Sequence, residues 1–416
     1  MGRAPSAVVA LGGIAAVVLI QYVGGQRLAE KTIAAGIALA LIAAASRRPA
    51  VALGVILAYT PFQLILLAWL FKHGTPTVVV KDAGYVKDAM TMGIGVAAIR
   101  ARFDPDIPAL KLNFLDFAAG AYLAIASVYL LFPLVFHGAF GNNPWSIRLN
   151  AWRVDCLFVV LMMFCRRVPF SRKALQRLAL VVVFVALVEF GAVLWETLNR
   201  VGYRNFLLNT VDLPHYQLAI FHGLPAFGYI VHTSVGGHDV VRDGGFFADV
   251  LELGFYTVVP FALGAQRLLN SRLRLQTVIP AVGAGTTAML ALTRSAILGC
   301  AVALLVLVIS SFPRKARSRL PAIALVLAGI VAVVPLVGHS AAGARFATLF
   351  NGSHDKDNKV HSENSRAGLH SVLTHPAGKG LGANPATGQR FGTSNFTDTE
   401  NSYLQVGTEI GAAGML

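Results

Sequence analysis

The sequence predicts an all-α fold: a polytopic transmembrane helical bundle of about twelve spans, with a large outer loop before the last span. Three observations predict it. The 416 residues are 56% hydrophobic and only 13% charged, against about 25% charged in ordinary soluble domains. Apolar runs near the roughly 20 residues that cross a bilayer core follow one another along most of the chain. A long polar stretch, residues 338–402, then interrupts them before a final apolar run.

In order, the runs are Ser6–Tyr22, Lys31–Ser46, Ala50–Phe71, Lys87–Ile99, Phe114–Phe136, Ala151–Cys165, Leu175–Thr197, Gly244–Ala265, Gln276–Leu292, Ser295–Phe312, Leu320–Val337 and Tyr403–Leu416. The first reads as a membrane span rather than a cleaved signal, because no small-residue cleavage site leads into a polar sequence. The fourth is weak and short enough to be re-entrant. The last is short for a crossing. Basic residues gather at Arg47–Arg48, Arg166–Arg177, Arg267–Arg274 and Arg314–Arg319. With all the runs taken as spans, these clusters fall on one side, the cytoplasm, by the positive-inside bias. Residues 139–150, 198–241 and 338–402 then fall on the outer side. The chain divides into N-terminal spans with the first outer loops, 1–241, and a C-terminal membrane region, 242–416, that carries the loop 338–402.

The net charge is +15 and the isoelectric point about 10.1. In a soluble protein that balance would point to nucleic acid. Here the basic residues sit in short loops, and no basic patch interleaved with aromatics marks a nucleic-acid surface. Cys156, Cys165 and Cys300 lie in or beside apolar runs. Their spacing fits neither a disulfide framework nor a zinc site, so they read as small apolar packing residues.

Chemistry gathers at the outer ends of the C-terminal runs. Arg242 stands just before Gly244-Gly245-Phe246-Phe247. Arg294 lies in a turn of a few residues, Thr293-Arg294-Ser295. Arg366 lies in the outer loop, in Asn364-Ser365-Arg366. Arginine on the outer side runs against the positive-inside bias. Its planar fork binds phosphate in a bidentate manner, and three together suit a pyrophosphate. The plain alternative for Arg242 and Arg294 is snorkelling to lipid headgroups. Asp249 and Glu252, three residues apart, share a helix face. Glu189 and Glu196 lie inside the preceding run. A carboxylate at membrane depth needs a polar cavity or a partner, so these four read either as acceptor-sugar ligands or arginine partners, or as structural ion pairs. His361, His370 and His375 flank Arg366; one could accept a proton, and their spacing fits no metal template. Glu400, at the mouth of the last run beside Asn401, reads as a helix cap or as a base for a sugar hydroxyl. A short helix is expected over Glu363–Leu373, stopped by His375-Pro376. Tight turns are expected at Gly378–Gly382 and Gly388–Gly392.

Arg366, then His375-Pro-x-Gly-x-Gly-Leu-Gly382, then Glu400-Asn-Ser-Tyr-Leu404 and Glu409-Ile-Gly411-x-x-Gly414 resemble the O-antigen ligase and polymerase family of bacterial membrane proteins. Thr293-Arg294-Ser295 and Arg242-Asp-Gly-Gly245 match its shorter motifs, so the likeness spans residues 242–416. The resemblance implies an inner-membrane glycosyltransferase with its active site facing the periplasm. Such an enzyme takes glycan from a polyprenyl-pyrophosphate carrier and passes it to another carrier-linked repeat, as a polymerase of O-antigen or exopolysaccharide, or to lipid A–core, as a ligase. It implies no cofactor and no metal, and a chain-length regulator as a partner besides the bilayer. Arg366 and Arg294 would hold the pyrophosphate. Arg242 would assist them. The residues' own positions add Asp249, Glu252, His375 and Asn401 as expected substrate-binding residues, and Glu400 as the group expected to activate the acceptor. Ligases typically carry His where Glu400 stands, which favours the polymerase. From another class, a multi-pass transporter would share the spans. A long Arg- and His-bearing outer loop is not required for transport, and the repeats common in transporters are not evident. A non-catalytic membrane scaffold would tolerate loss of the outer arginines.

Overall fold

The computed structural model describes residues 28–107, 112–132, 143–221, 231–235, 238–247, 250–270, 275–291, 293–315, 356–383 and 401–415. The expected runs Ser6–Tyr22 and Leu320–Val337 lie outside the described residues, as do Asp249, Glu400 and Gly388–Gly392. Helices α1 (Leu28–Arg47), α2 (Pro49–Lys72), α4 (Val86–Arg102), α5 (Phe114–Leu131), α6 (Trp145–Cys165) and α7 (Arg172–Leu198) form on the expected runs, with short α3 (Thr77–Ala83) between α2 and α4. After α7 come α8 (Arg200–Asn205), a π-helical turn (Phe206–Val211) and α9 (Leu213–Phe221). The C-terminal part holds α10 (Val250–Asn270), α11 (Leu275–Leu290), α12 (Arg294–Lys315), α13 (Lys356–Thr374) and α14 (Ser402–Ile410).

Among the described residues, α2, α5 and α7 are long and apolar enough to cross a membrane. Helix α7 shows how. Val182, Ala186, Glu189, Val193 and Glu196 recur at three- and four-residue steps and are buried, while Leu175, Leu180 and Phe184 on other faces are exposed. Exposed apolar side chains suit a helix bathed in hydrocarbon. The same buried stripe that packs α7 also carries its two carboxylates inward.

Ion pairs fix the helix directions. Asn113 caps α5 and, with Asp116, forms a reciprocal capping box. Asp116 also pairs with Arg166 at 2.9 Å, so the start of α5 meets the end of α6 and the two run antiparallel. Asp88, in the first turn of α4, pairs with Arg153 early in α6, so α4 and α6 run parallel. The weak fourth run becomes a helix through its small residues. A Cβ on Gly93 would meet the Ala45 Cβ at 2.4 Å, and one on Gly95 would meet the Phe164 ring at 2.5 Å. Helix α4 is therefore seated by close approach to α1 and α6 rather than by hydrophobic length.

Two regions depart from expectation. The helical architecture carries an addition at the end of the stretch 198–241 and reaching Arg242, a hairpin: β1 (Val231–Val235) pairs antiparallel with β2 (His238–Arg242), Val231 opposite Arg242. Its strands are rich in β-branched residues, and Gly236-Gly237 stand between them in sequence, the composition of a hairpin. The final run does not form the span expected over Tyr403–Leu416. Helix α14 has nine residues, about 14 Å at 1.5 Å per residue, against a core of about 30 Å. Gly411, at φ +75°, ends it. A 3-10 turn, Ala412–Met415, follows, and the Ala412 amide donates to the Pro376 carbonyl at 3.0 Å.

Candidate active site

The first part of the site is the turn Asp243–Phe247, laid across the end of α7. Glu196 Oε2 accepts the Gly244 and Gly245 amides, both at 2.9 Å. Two turns earlier on the helix, Glu189 Oε2 accepts the Phe246 amide at 3.0 Å. The Tyr203 hydroxyl donates to the Gly245 carbonyl. Gly245 has φ +53°, and a Cβ there would come 2.7 Å from Glu189 Oε2, so both conformation and space require glycine. The carboxylates of α7 thus hold backbone amides. That arrangement differs from both expected readings, sugar or arginine ligands and structural ion pairs.

Asp243 closes the turn. It accepts the Thr197 hydroxyl at 2.8 Å and faces Arg200 at 3.9 Å. Burial pushes its carboxyl up to about 6, against the bond from Thr197 and the charge of Arg200. Burial, with the charges of Glu196, Glu189 and Asp243 around it, holds the Tyr203 phenol well above its ordinary value.

This turn sits beside the Thr293–Arg294 turn. Val193, Phe247, Leu253, Leu290 and Ala291 form one buried cluster. A Cβ on Gly254 would meet the Thr293 Cβ at 2.8 Å. The backbone positions of Arg242, at the end of β2, and Arg294, at the start of α12, therefore border one patch. Helix α13, which carries Arg366, lies against β1, and β1 is hydrogen-bonded to the strand that ends in Arg242. Arg366 and His370 are one turn apart on α13 and exposed. Glu252 is exposed near the start of α10.

The second part is the loop after α13, docked on α14. Lys379 donates its amide to the Thr408 carbonyl at 2.7 Å, and Gly380 to the Glu409 carbonyl at 2.9 Å. The Gly382 amide reaches Glu409 Oε1 at 3.0 Å. Gly378, Gly380 and Gly382 all have positive φ, as the expected tight turns require. Helices α5 and α6 support the loop: the Tyr129 hydroxyl donates to the Ala377 carbonyl, and Asn143 Nδ2 to the Leu381 carbonyl at 2.8 Å. Asp155, deeper on α6, hydrogen-bonds the Glu409 side chain. His375 is exposed, its Nδ1 3.0 Å from Thr374 Oγ1. Asn401 caps α14 by accepting the Tyr403 and Leu404 amides at 2.9 and 3.4 Å.

Glu409 is a residue that sequence reasoning left without a role. Its signal was its place immediately before Ile410-Gly411 in the final motif. No group of His, Cys, Asp or Glu among the described residues is arranged to hold a metal ion.

Residues 279–416, about a third of the chain, match the model of the family described as O-antigen ligase. No curated protein and no solved structure matches the chain.

Proposed function

We propose that this protein is a membrane glycosyltransferase that polymerises glycan repeat units from a polyprenyl-pyrophosphate carrier on the periplasmic face. The observation that supports the reading is that α13, which carries Arg366, lies on the hairpin whose second strand ends in Arg242, while the turn after that strand packs beside the Thr293–Arg294 segment. The match of residues 279–416 to the O-antigen ligase family model supports lipid-linked glycan as the substrate class.

In this mechanism the acceptor hydroxyl attacks the sugar C1. The bond from C1 to the pyrophosphate oxygen breaks, and the polyprenyl pyrophosphate leaves with that electron pair. Arg366 and Arg294, assisted by Arg242, stabilise the charge that develops on the leaving group, and such stabilisation usually dominates the rate enhancement in a site of this kind. The hydroxyl proton passes to Glu400 or His375. Asn401 fixes the start of α14 directly after Glu400. Asp249 and Glu252 bind the acceptor sugar. A carboxylate at position 400 favours the polymerase, whereas the family's own description favours the ligase, which passes glycan to lipid A–core.

The test is turnover by the purified protein in nanodiscs, supplied with a polyprenyl-pyrophosphate oligosaccharide and followed by mass spectrometry. Longer carrier-linked glycans with release of polyprenyl pyrophosphate support polymerisation, and glycan on lipid A–core supports ligation. No release from an authentic donor by folded protein overturns both.

A further inference from the structure

Helix α6 and its C-cap residue carry three arginines at structurally distinct places, and two of them have acids. Arg153 pairs with Asp88, and Arg166 with Asp116. Arg148, in the first turn, has none among the described residues, although only 5% of it is exposed. Its Nη1 donates to the Leu130 carbonyl at 3.1 Å, its Nε is buried without a hydrogen-bond partner among the described residues, and its Cζ lies 5.7 Å from the centroid of the Trp145 ring. One turn further along the same face, the indole Nε1 of Trp152 is a second buried donor without a hydrogen-bond partner among the described residues. No side chain caps the start of α6, so the helix adds its own positive end beside Trp145. Asp155 lies on this face seven residues from Arg148, about 10 Å deeper along the axis, and is engaged with Glu409.

A buried cation with one carbonyl bond, a neighbouring orphan donor and an uncapped helix start have in common the lack of an anionic acceptor. Trp152 packs in the cluster that also contains Leu381 and Ile410. A Cβ on Gly382 would meet Ile147, the residue before Arg148, at 2.6 Å. The two donors therefore lie beneath the docked glycine loop, where α5 ends and α6 begins.

We infer that Arg148 and Trp152 form a phosphate-binding site, to which the guanidinium and the indole N–H donate together. The phosphate comes either from the polyprenyl-pyrophosphate carrier or from an anionic phospholipid headgroup. The site is separate from the Arg242, Arg294 and Arg366 elements, and its occupancy is measured without turnover, so it stands or falls independently of the proposed glycosyl transfer.

The experiment uses the full chain in phosphatidylcholine nanodiscs. Polyprenyl pyrophosphate, and in a second arm phosphatidylglycerol, is titrated while tryptophan fluorescence and the thermal midpoint are followed. Saturable binding that weakens at least tenfold in Arg148→Gln and several-fold in Trp152→Phe is expected. An effect confined to the carrier identifies the carrier as the source; one confined to phosphatidylglycerol identifies the headgroup. If Arg148→Gln does not fold, Trp152→Phe decides. Affinities for both ligands within twofold of the unsubstituted protein in the folded variants would overturn the inference.

Discussion

Gly378 and Gly411 touch through their backbones: a Cβ on Gly378 would lie 2.5 Å from the Gly411 amide nitrogen, and one on Gly411 would lie 2.5 Å from the Pro376 carbonyl oxygen. This contact joins the loop after α13 to the end of α14. It also accounts for the short final helix, since the chain must turn at Gly411 to make it.

Gly411→Ala should therefore destabilise the protein by several kcal/mol. Strain at φ +75° contributes about 1–3 kcal/mol, and overpacking contributes a similar amount, about 1–3 kcal/mol. Gly36→Ala in α1, where a Cβ would meet nothing within 4 Å, is the control and should be neutral or slightly stabilising. Thermal unfolding in detergent compares them. Equal midpoints for the two variants would contradict the close contact.

Glu196 should be replaceable by glutamine but not by alanine. Its Oε2 serves two buried amides, Gly244 and Gly245. Alanine leaves both donors unsatisfied, at about 1–3 kcal/mol each, whereas one glutamine carbonyl oxygen can still accept both. A midpoint drop several-fold larger for Glu196→Ala than for Glu196→Gln is expected. Equal losses would mean that the charge, and not the acceptor geometry, is what matters.

Much of the fold could be read from the residues because apolar length and helix formation coincide there, as in α2 and α7. The glycine turns at 378–382 were legible for a similar reason: close-spaced glycines have few other uses. Other features depend on partners far along the chain. The partners of Glu196 lie 48 and 49 residues away and are main-chain amides, which side-chain identities do not advertise. The hairpin was hidden because its strands are short and lie in a stretch of glycine, histidine and aromatic residues that reads as loop. The final run looked like a span because Ile410 and Met415 continue its hydrophobicity, while its direction is set by Gly411 against Pro376.

Asp243 gives the protein a pH dependence with a defined sign. Its folded value of about 6 lies above the ordinary 3.8, so between these values the folded state binds the proton more tightly than the unfolded state. Its contribution to stability is fully present below about 4 and is lost as the pH rises through 6. Asp243→Asn removes this titration. The variant's midpoint relative to the unsubstituted protein should therefore be higher at pH 7.5 than at pH 4. A difference that does not change between those pH values would exclude the raised carboxyl.

Arg366 should separate activity from stability. It is exposed on α13 and forms no ion pair among the described residues, so Arg366→Ala removes no contact that holds the fold, and alanine is the better helix former. In the proposed mechanism its guanidinium faces the leaving pyrophosphate, and losing one member of a desolvated charge pair costs about 2–5 kcal/mol. Turnover should fall well over tenfold with an unchanged thermal midpoint. Arg366→Lys should fall between, since it keeps the charge but not the planar fork. Arg172→Ala, in the basic cluster at the far end of α7, should turn over normally. Full activity in Arg366→Ala would remove Arg366 from the site, whereas loss of activity with loss of folding would assign it a structural role instead.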